Sequence, residues 1–410
     1  YAGAILFFTS SFGIGMSISA GALVARALGA GDKDEAQSKA TNSLIYGFVF
    51  GGMFSAVVWF NLDFLVTLLG AQDETHDLAV LYLQIIVPSL PFLMVGMVGG
   101  AVLRAHGDAR RAMMATIYGG LVNAVLDPIL IFGLDLELTG AALASVAARL
   151  TIAGVSLLPL IRHYGGFVRP APKALFADLR PIFALAFPAI MTQLATPIGQ
   201  AYVTRAMADY GEAAVAGMAI VGRLTPIAFG VIFALSGALG PIIGQNFGAM
   251  KFDRVRRGFV AGVVFVGVFV VVMTGLLYVL RGPIADIFSA TGITRELVYL
   301  FCGPLALAFF FNGVLFVSNA AFNNMGHPYY STVTNWGRNT LGMIPLVWGG
   351  SLLFGAPGVL IGQAAAGVLF GALAWVLARR MIAQGGQRKR AKPEAFARDG
   401  RLMSLLHLRR

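Results

Sequence analysis

The sequence predicts an all-α polytopic membrane protein made of two similar halves, and three observations predict it. Apolar residues make up 58% of the 410 and charged ones only 12%, with a mean hydropathy of +0.78, far from the composition of a soluble domain. Eleven apolar stretches each exceed the roughly 20 residues that a helix needs to cross ~30 Å of hydrocarbon. The chain also repeats itself at an offset of 219: Gly21 falls on Gly240, Gly29 and Ala30 on Gly248 and Ala249, Asp34 on Asp253, and Gly107 on Gly326. A duplicated membrane bundle usually binds its ligand between the halves.

The first half holds stretches at 1 to 28, 35 to 61, 77 to 105, 110 to 133 and 139 to 163. Each is read as a helix, because helices are the open-chain solution in lipid that satisfies its own backbone groups. Residues 164 to 180, with Pro170, Pro172 and Pro181, read as a stretched cytoplasmic linker, since proline removes a backbone donor and interrupts helices. The second half follows at 181 to 208, 213 to 247, 255 to 281, 295 to 324, 328 to 354 and 356 to 382. Small residues four apart, as at Gly47 and Gly51, Gly96 and Gly100, and Gly367 and Gly371, let helix backbones approach closely in lipid. Gly119 and Gly120 ahead of Pro128 mark a bending point.

This divides the chain into an N-terminal lobe at 1 to 163, the linker at 164 to 180, a C-terminal lobe at 181 to 384 and a basic tail at 385 to 410. Two helices stand ahead of Gly240, but only one stands ahead of its partner Gly21. The first helix of the first half is therefore expected to be missing, leaving five of six helices there. Twelve spans in two sets of six are expected when it is present.

Lysine and arginine mark the cytoplasmic side. Connections at 26 to 39, 104 to 111, 162 to 180 and 251 to 257 hold fourteen of them, and the tail from Arg379 adds ten. The alternate connections hold only Arg205, Arg281 and Arg295, which puts the C-terminus in the cytoplasm. The net charge of +11 is thus accounted for without nucleic acid. Arg388, Lys389, Arg390 and Lys392 form one run in the tail, where each charge is worth about 1 kcal/mol near anionic lipid; a solvated tail that follows the topology rule is the simpler reading.

Enzyme chemistry finds no foothold. With only Cys302 there is no internal disulfide, the five histidines stand apart near helix ends, and neither HExxH nor GxSxG occurs. Gly29-Ala30-Gly31-Asp32 spells the GxGD string of intramembrane aspartyl proteases, but its repeat partner Gly248-Ala249-Met250-Lys251 carries no carboxylate. No cofactor and no structural metal are expected.

Function must then come from polar groups inside the spans, where an ionisable side chain costs at least ~2.5 kcal/mol. Asp127 is the carboxylate well inside an apolar run, and Asn123 lies four residues earlier on the same helix face. Pro128 follows and frees a carbonyl nearby. A desolvated carboxylate has its proton affinity raised toward the physiological range, so Asp127 suits a proton carrier; the same oxygens suit Na+. Two structural roles compete: an ion pair with Arg149, or a place near the outer interface beside Asp135 and Glu137. Arg149, Arg223 and Arg338 are expected to be buried. The C-terminal half offers amides in place of acids, with Gln193, Gln200, Asn312, Asn319 and Asn323 as candidate cavity residues.

Four segments bring a family into view: Ala25-Arg26-Ala27-Leu28-Gly29-Ala30-Gly31-Asp32, Leu103-Arg104-Ala105-His106-Gly107-Asp108, Asn123 to Gly133, and Gly244-Gln245-Asn246-Phe247-Gly248-Ala249. With these the chain resembles the multidrug and toxic compound extrusion (MATE) transporters over essentially its whole length, and most of all their bacterial DinF-like branch. The resemblance implies a twelve-helix, two-lobed antiporter of the bacterial cytoplasmic membrane. It would export amphipathic, cationic compounds in exchange for H+ or Na+ and act as a monomer. It further implies a cation site made by a first-helix aspartate, the Asn123 and Asp127 pair and a hydroxyl, here Ser145 where the family usually has threonine. Arg223 and Arg338 fall where family members often have arginine, and gating or charge-pairing roles are expected for Arg149, Pro128, Arg223 and Arg338. The acidic residue that other branches carry in the second lobe is absent.

Two other readings remain open on sequence grounds. A lipid-linked saccharide flippase of the same superfamily would use Arg149, Arg223 and Arg338 to grip a pyrophosphate. A non-transporting receptor or scaffold would need no buried carboxylate at all.

Overall fold

A computed structural model of the chain describes residues 2–407, with side chains described through residue 385 apart from residue 4. The basic run at 388 to 392 lies outside the described side chains. All regular elements among the described residues are helical. The first half comprises α1 (Ala2–Ala30), α2 (Lys33–Phe60), the short α3 (Leu62–Leu68), α4 (Asp73–Ile86), α5 (Leu90–Ala105), α6 (Ala109–Pro128) and α7 (Glu137–His163). The second comprises α8 (Pro172–Ala208), α9 (Glu212–Gly248), α10 (Phe252–Ile287), α11 (Gly292–Leu300), α12 (Ala306–Asn324), α13 (Pro328–Gly337) and α14 (Met343–His407).

The repeat is structural to the residue. Shifted by 219, the starts of α2, α4 and α6 at Lys33, Asp73 and Ala109 fall on those of α10, α11 and α13 at Phe252, Gly292 and Pro328. Left-handed backbone recurs at the same offset: Gly31 and Met250, Gly70 and Ser289, Asp73 and Gly292, Gly107 and Gly326 all have positive φ. Only one of those four pairs, Gly107 and Gly326, is glycine in both halves, so the turn geometry is repeated more faithfully than its residues. α8 has no counterpart among the described residues.

Ten helical stretches are long and apolar enough to cross a membrane. The last, Pro328–Gly385, is two segments, because Gly355 (φ 64°, ψ −140°) breaks it. The chain doubles back there: Gly350 backs onto the Gly358 carbonyl and Gly362 onto that of Leu346. The described residues therefore hold eleven membrane-length segments, at the places the sequence indicates. The third segment of the first half and its repeat counterpart in the second are also broken, by a 3-10 turn at Val87–Ser89 and by a π segment at Phe301–Leu305 around Pro304.

Each half has its own apolar core. Met16, Val24, Val98, Val102 and Leu103 pack together in the first, and Phe229, Phe259, Val266, Leu315 and Phe322 in the second, where Phe229 stacks on Phe309 with centroids 4.1 Å apart. The segment at 164 to 180 is not the stretched spacer its prolines suggest. Only residues 164–171 lack helix; Pro172 occupies the first turn of α8, where its missing N–H costs nothing. Asp178, one turn further in, is buried. It is bonded to Lys39 and accepts from Asn42 Nδ2 at 2.7 Å, while Tyr46 donates to the Leu175 carbonyl at 2.6 Å.

The halves meet where α1 packs along α8, with Ser19 Oγ donating to Ile182 O at 2.8 Å, and where it crosses α9. Gly29 lies on the Gln245 backbone and Gly248 on the Arg26 carbonyl, so closely that a Cβ on either glycine would overlap the opposing backbone. The contact is reciprocal under the repeat, since 29 maps to 248 and 26 to 245. Arg26 Nε donates to Asn324 O at 2.7 Å and Nη2 to Asn323 O at 2.7 Å. Gln245 Nε2 donates to Ala105 O at 2.7 Å, and 105 maps to 324. Ala105 and Asn324 end α5 and α12, so each half caps the orphan carbonyls at a helix C-terminus of the other.

The same face carries a well-bonded carboxylate. Asp108 caps α6 by accepting from Arg111 N, and its carboxylate also accepts from Arg111 Nη1 at 2.6 Å and Tyr164 Oη at 2.8 Å. Burial would raise the Asp108 pKa, but the hydrogen bonds from Arg111 and Tyr164 outweigh it and hold the carboxyl below its usual range.

Replacing Gly29 or Gly248 by alanine should destabilise the folded protein by about 1–3 kcal/mol, the cost of overpacking, seen as a lower melting temperature in detergent. An unchanged melting temperature in both variants would mean that the crossing tolerates a methyl. Asp108 contributes stability that is present above the ordinary carboxylate pKa of about 3.9 and is lost as pH falls through the lowered native value. Asp108→Asn should accordingly melt below wild type at pH 7, with the gap closing below about pH 4.

Candidate functional site

α6 is an apolar helix whose regular register fails at its end. Pro128 lacks the N–H that would reach Ala124, and the chain continues as a π segment, Ile129–Gly133, with Leu134 N bonded to Ile129 O at 3.0 Å. π segments of this kind cluster at functional sites. One turn before the break, Asn123 Nδ2 donates to Asp127 Oδ1 at 3.4 Å. Both side chains are half-buried, and among the described residues Asp127 has no basic partner within ion-pair distance.

α7 runs antiparallel beside α6. Gly140 packs on the Leu130 backbone, and Gly119 on Ile152 and the Ala148 carbonyl. That register sets residues 143–147 level with 123–127, so Ser145, half-buried, lies at the depth of the Asn123 and Asp127 pair. A carboxylate, an amide and a hydroxyl are thus brought to one level of two adjoining helices. This set can take up a proton or offer oxygens to a small cation.

Arg149 is buried as expected, but it is not the partner of Asp127. Its Nη1 donates to Ile86 O at 3.0 Å and to Ser89 Oγ at 2.9 Å. The reason lies in the broken third segment, where Pro88 and Pro91 leave backbone acceptors without helical donors. Ser55 Oγ donates to Val87 O at 2.7 Å and Trp59 Nε1 to Gln84 O at 3.2 Å, and Arg149 completes the set. A role as a structural plug explains this arginine.

In the C-terminal half, three polar rungs join α12 to α13 and to Arg338, the residue after it. Arg338 Nη1 donates to Asn312 Oδ1, Asn335 Nδ2 to Asn319 Oδ1 at 3.2 Å, and Ser331 Oγ to Asn323 Oδ1 at 3.1 Å. Asn319, Asn323 and Asn335 are buried. The expectation that Asn319 and Asn323 line a cavity is corrected: their amides bond helix to helix. Arg338 and Asn312 are half-buried, and of the remaining candidates Gln193 is half-buried and Gln200 exposed, within reach of Gln363 Nε2 at 3.3 Å.

Arg223 is exposed, against the expectation of burial. Arg223, Gly230 and Gly237 precede Gly248 by about seven, five and three helical turns, so they lie on the face of α9 that meets α1 at its other end. Nothing stands within 4 Å of the Cβ positions of Gly230 and Gly237, and Ile227 on the same stripe is 79% exposed. The halves therefore touch at the Gly29 and Gly248 end, and Arg223 lies toward the open end. Sequence reasoning missed the Arg26 and Gln245 pair, because the two residues differ in type; overlaying the halves at 219 would have paired them.

A family model described as MatE matches residues 1–129 and 188–348. The chain belongs to the MatE family. The two matched ranges end at repeat-equivalent positions, and the first includes Asn123, Asp127 and Pro128. Among curated proteins, the chain is 28% identical over 383 residues to the FAD transporter of Shewanella oneidensis, covering 91% of this chain and 84% of that one. It is 29% identical over 248 residues to the multidrug export protein MepA of Staphylococcus aureus, covering 58% of this chain and 53% of that one. Among solved structures, a MATE transporter of Vibrio cholerae superposes with a TM-score of 0.88 at 22% identity, covering 93% of this chain and 87% of that chain. A MOP superfamily transporter of Pyrococcus furiosus superposes at 0.86 and 20% identity, covering 93% and 86%. The protein is a multi-pass membrane transporter of the MATE family, and a non-transporting receptor or scaffold finds no support among these relatives.

The two kinds of amide separate by stability. Asn335→Leu, which strands the buried Asn319 oxygen, should cost about 1–3 kcal/mol, whereas Gln200→Leu should stay within about 0.5 kcal/mol in thermal unfolding. Equal losses would mean that Gln200 is also structural.

Proposed function

We propose that the protein is a secondary antiporter of the bacterial cytoplasmic membrane that exports amphipathic organic compounds in exchange for H+ or Na+, with Asp127 as the coupling carboxylate. The observation that carries this reading is the Asn123 to Asp127 hydrogen bond at 3.4 Å, made without a basic partner, one residue before a proline and a π segment. An unpaired carboxylate in a span is ready to bind a cation, and the break beside it gives the helix a second packing to adopt. Ser145 supplies a further oxygen at that level.

The cycle follows by alternating access. Cation binding at Asp127 neutralises the site, repacks α6 at Pro128 and favours one arrangement of the two halves over the other. A membrane potential adds about 2.3 kcal/mol per charge moved per 100 mV, enough for more than tenfold accumulation. The reciprocal caps of Arg26 and Gln245 hold the basic face closed in this conformation, and the positive-inside pattern supports placing that face and the C-terminus in the cytoplasm. The multidrug export protein MepA supports xenobiotic substrates, and the protein is proposed to work as a monomer.

A second reading of the substrate is favoured by one observation. Arg223 is exposed on α9, and no acid lies in α12 or in α9 beyond its first turn to offset it. A flavin dinucleotide, named for the Shewanella relative, combines phosphates for Arg223 with an aromatic ring for the apolar walls.

Efflux from proteoliposomes decides among these, using a fluorescent cationic dye and FAD under a proton gradient and then a sodium gradient. Wild type should export one of the two against its gradient, and Asp127→Asn should reduce the gradient-driven rate at least tenfold. Arg223→Gln should impair FAD export and spare the dye. Gradient-independent movement unaffected by Asp127→Asn would overturn the antiporter reading and favour a flippase.

A further inference from the structure

The first turns of α8 present two opposite faces. Asp178 points inward to Lys39 and Asn42 of α2, which fixes the helix rotation. Phe176, Leu179, Arg180 and Phe183, at helical spacing on another side, line a groove with Phe50 of α2, of about 420 Å³. Its back wall is aromatic: Phe50 meets Phe183 edge to face with centroids 4.6 Å apart, and Tyr46 lies against Phe50 at 5.9 Å. Its rim is open, with Phe176 75% exposed.

Arg180 is exposed and has no hydrogen-bond or ion-pair partner among the described residues, and neither does Lys173, two turns earlier on the same face. The groove opens outward from the bundle, at the end of the spans where basic residues gather. This exposed guanidinium stands among three phenylalanines, and Arg matches phosphate oxygens in a bidentate fashion. Aromatic side chains at that depth suit the start of an acyl chain.

We propose that this groove binds an anionic glycerophospholipid, with the phosphate on Arg180 and Lys173 and an acyl chain along Phe50, Phe176, Leu179 and Phe183. The occupant touches α2 of the first half and α8 of the second. It therefore bridges the elements that join the halves on the basic face, and its occupancy biases their relative position.

The test is native mass spectrometry of the full-length protein in mild detergent, titrated with phosphatidylglycerol and with phosphatidylcholine. Arg388, Lys389, Arg390 and Lys392 are replaced by Gln throughout, so that the tail does not contribute. Phosphatidylglycerol should be retained in preference, and Arg180→Gln should weaken that preference about fivefold, the ratio that about 1 kcal/mol represents. Arg180→Lys should keep most of it, and Phe176→Ser should weaken binding of both lipids. Equal retention of the two lipids by wild type, or an Arg180→Gln profile identical to wild type, would overturn the proposal. The readout is independent of transport and of the coupling carboxylate.

Discussion

The tightest constraint on how the two halves sit together is a zero-clearance crossing, where α1 and α9 touch backbone to backbone at Gly29 and Gly248. Lipid tails supply no hydrophobic drive for helix association, so the halves need close van der Waals contact and well-made hydrogen bonds. The glycines give the first, and the carbonyls that end α5 and α12 give the second. Those carbonyls have no helical donor, and in a buried junction they would be costly without Arg26 and Gln245. The result is a contact concentrated at one end of the interface. Further along α9, Gly237 and Gly230 face open space and Arg223 is exposed.

The two halves meet the same constraint on polar groups in different ways. In the first, prolines at 88, 91 and 128 leave backbone acceptors without donors. Ser55, Trp59 and Arg149 answer those of the third segment, which leaves the carboxylate of Asp127 with only an amide for company. In the second, amides and Arg338 bond α12 to α13 in a ladder that holds no acid. One half therefore keeps an unneutralised acid near a helix break, and the other is cross-braced by neutral amides and an arginine.

Residues at the helix crossing were legible where the two halves agree in type. Gly29 and Gly248 stand out in the overlay because only glycine fits there, and the pair marks the place of closest approach. Arg26 and Gln245 do the same work with different side chains, and identity is the wrong signal for a cap that needs only an N–H donor at the right height. Asn123 and Asp127 were legible because four residues in a helix make one face. Arg149 was legible as buried, but its partner was not, since the acceptors are backbone carbonyls exposed by prolines some sixty positions away. Asp178 was hidden in a stretch whose prolines suggested a spacer, although Pro172 begins a helix.

The sequence by itself determined the number and order of the membrane segments, the repeat, the basic face and the Asn123 and Asp127 pair, because these follow from hydropathy, offset and helical periodicity, all local properties of the chain. Only the tertiary structure decided which polar groups are bonded to each other and which face the cleft. It put Asn319 and Asn323 into the helix ladder, left Arg223 exposed and turned Arg149 away from Asp127. The physical reason is that a buried donor or acceptor takes whichever partner the packing brings within about 3 Å, and that distance is set by helices far apart in sequence.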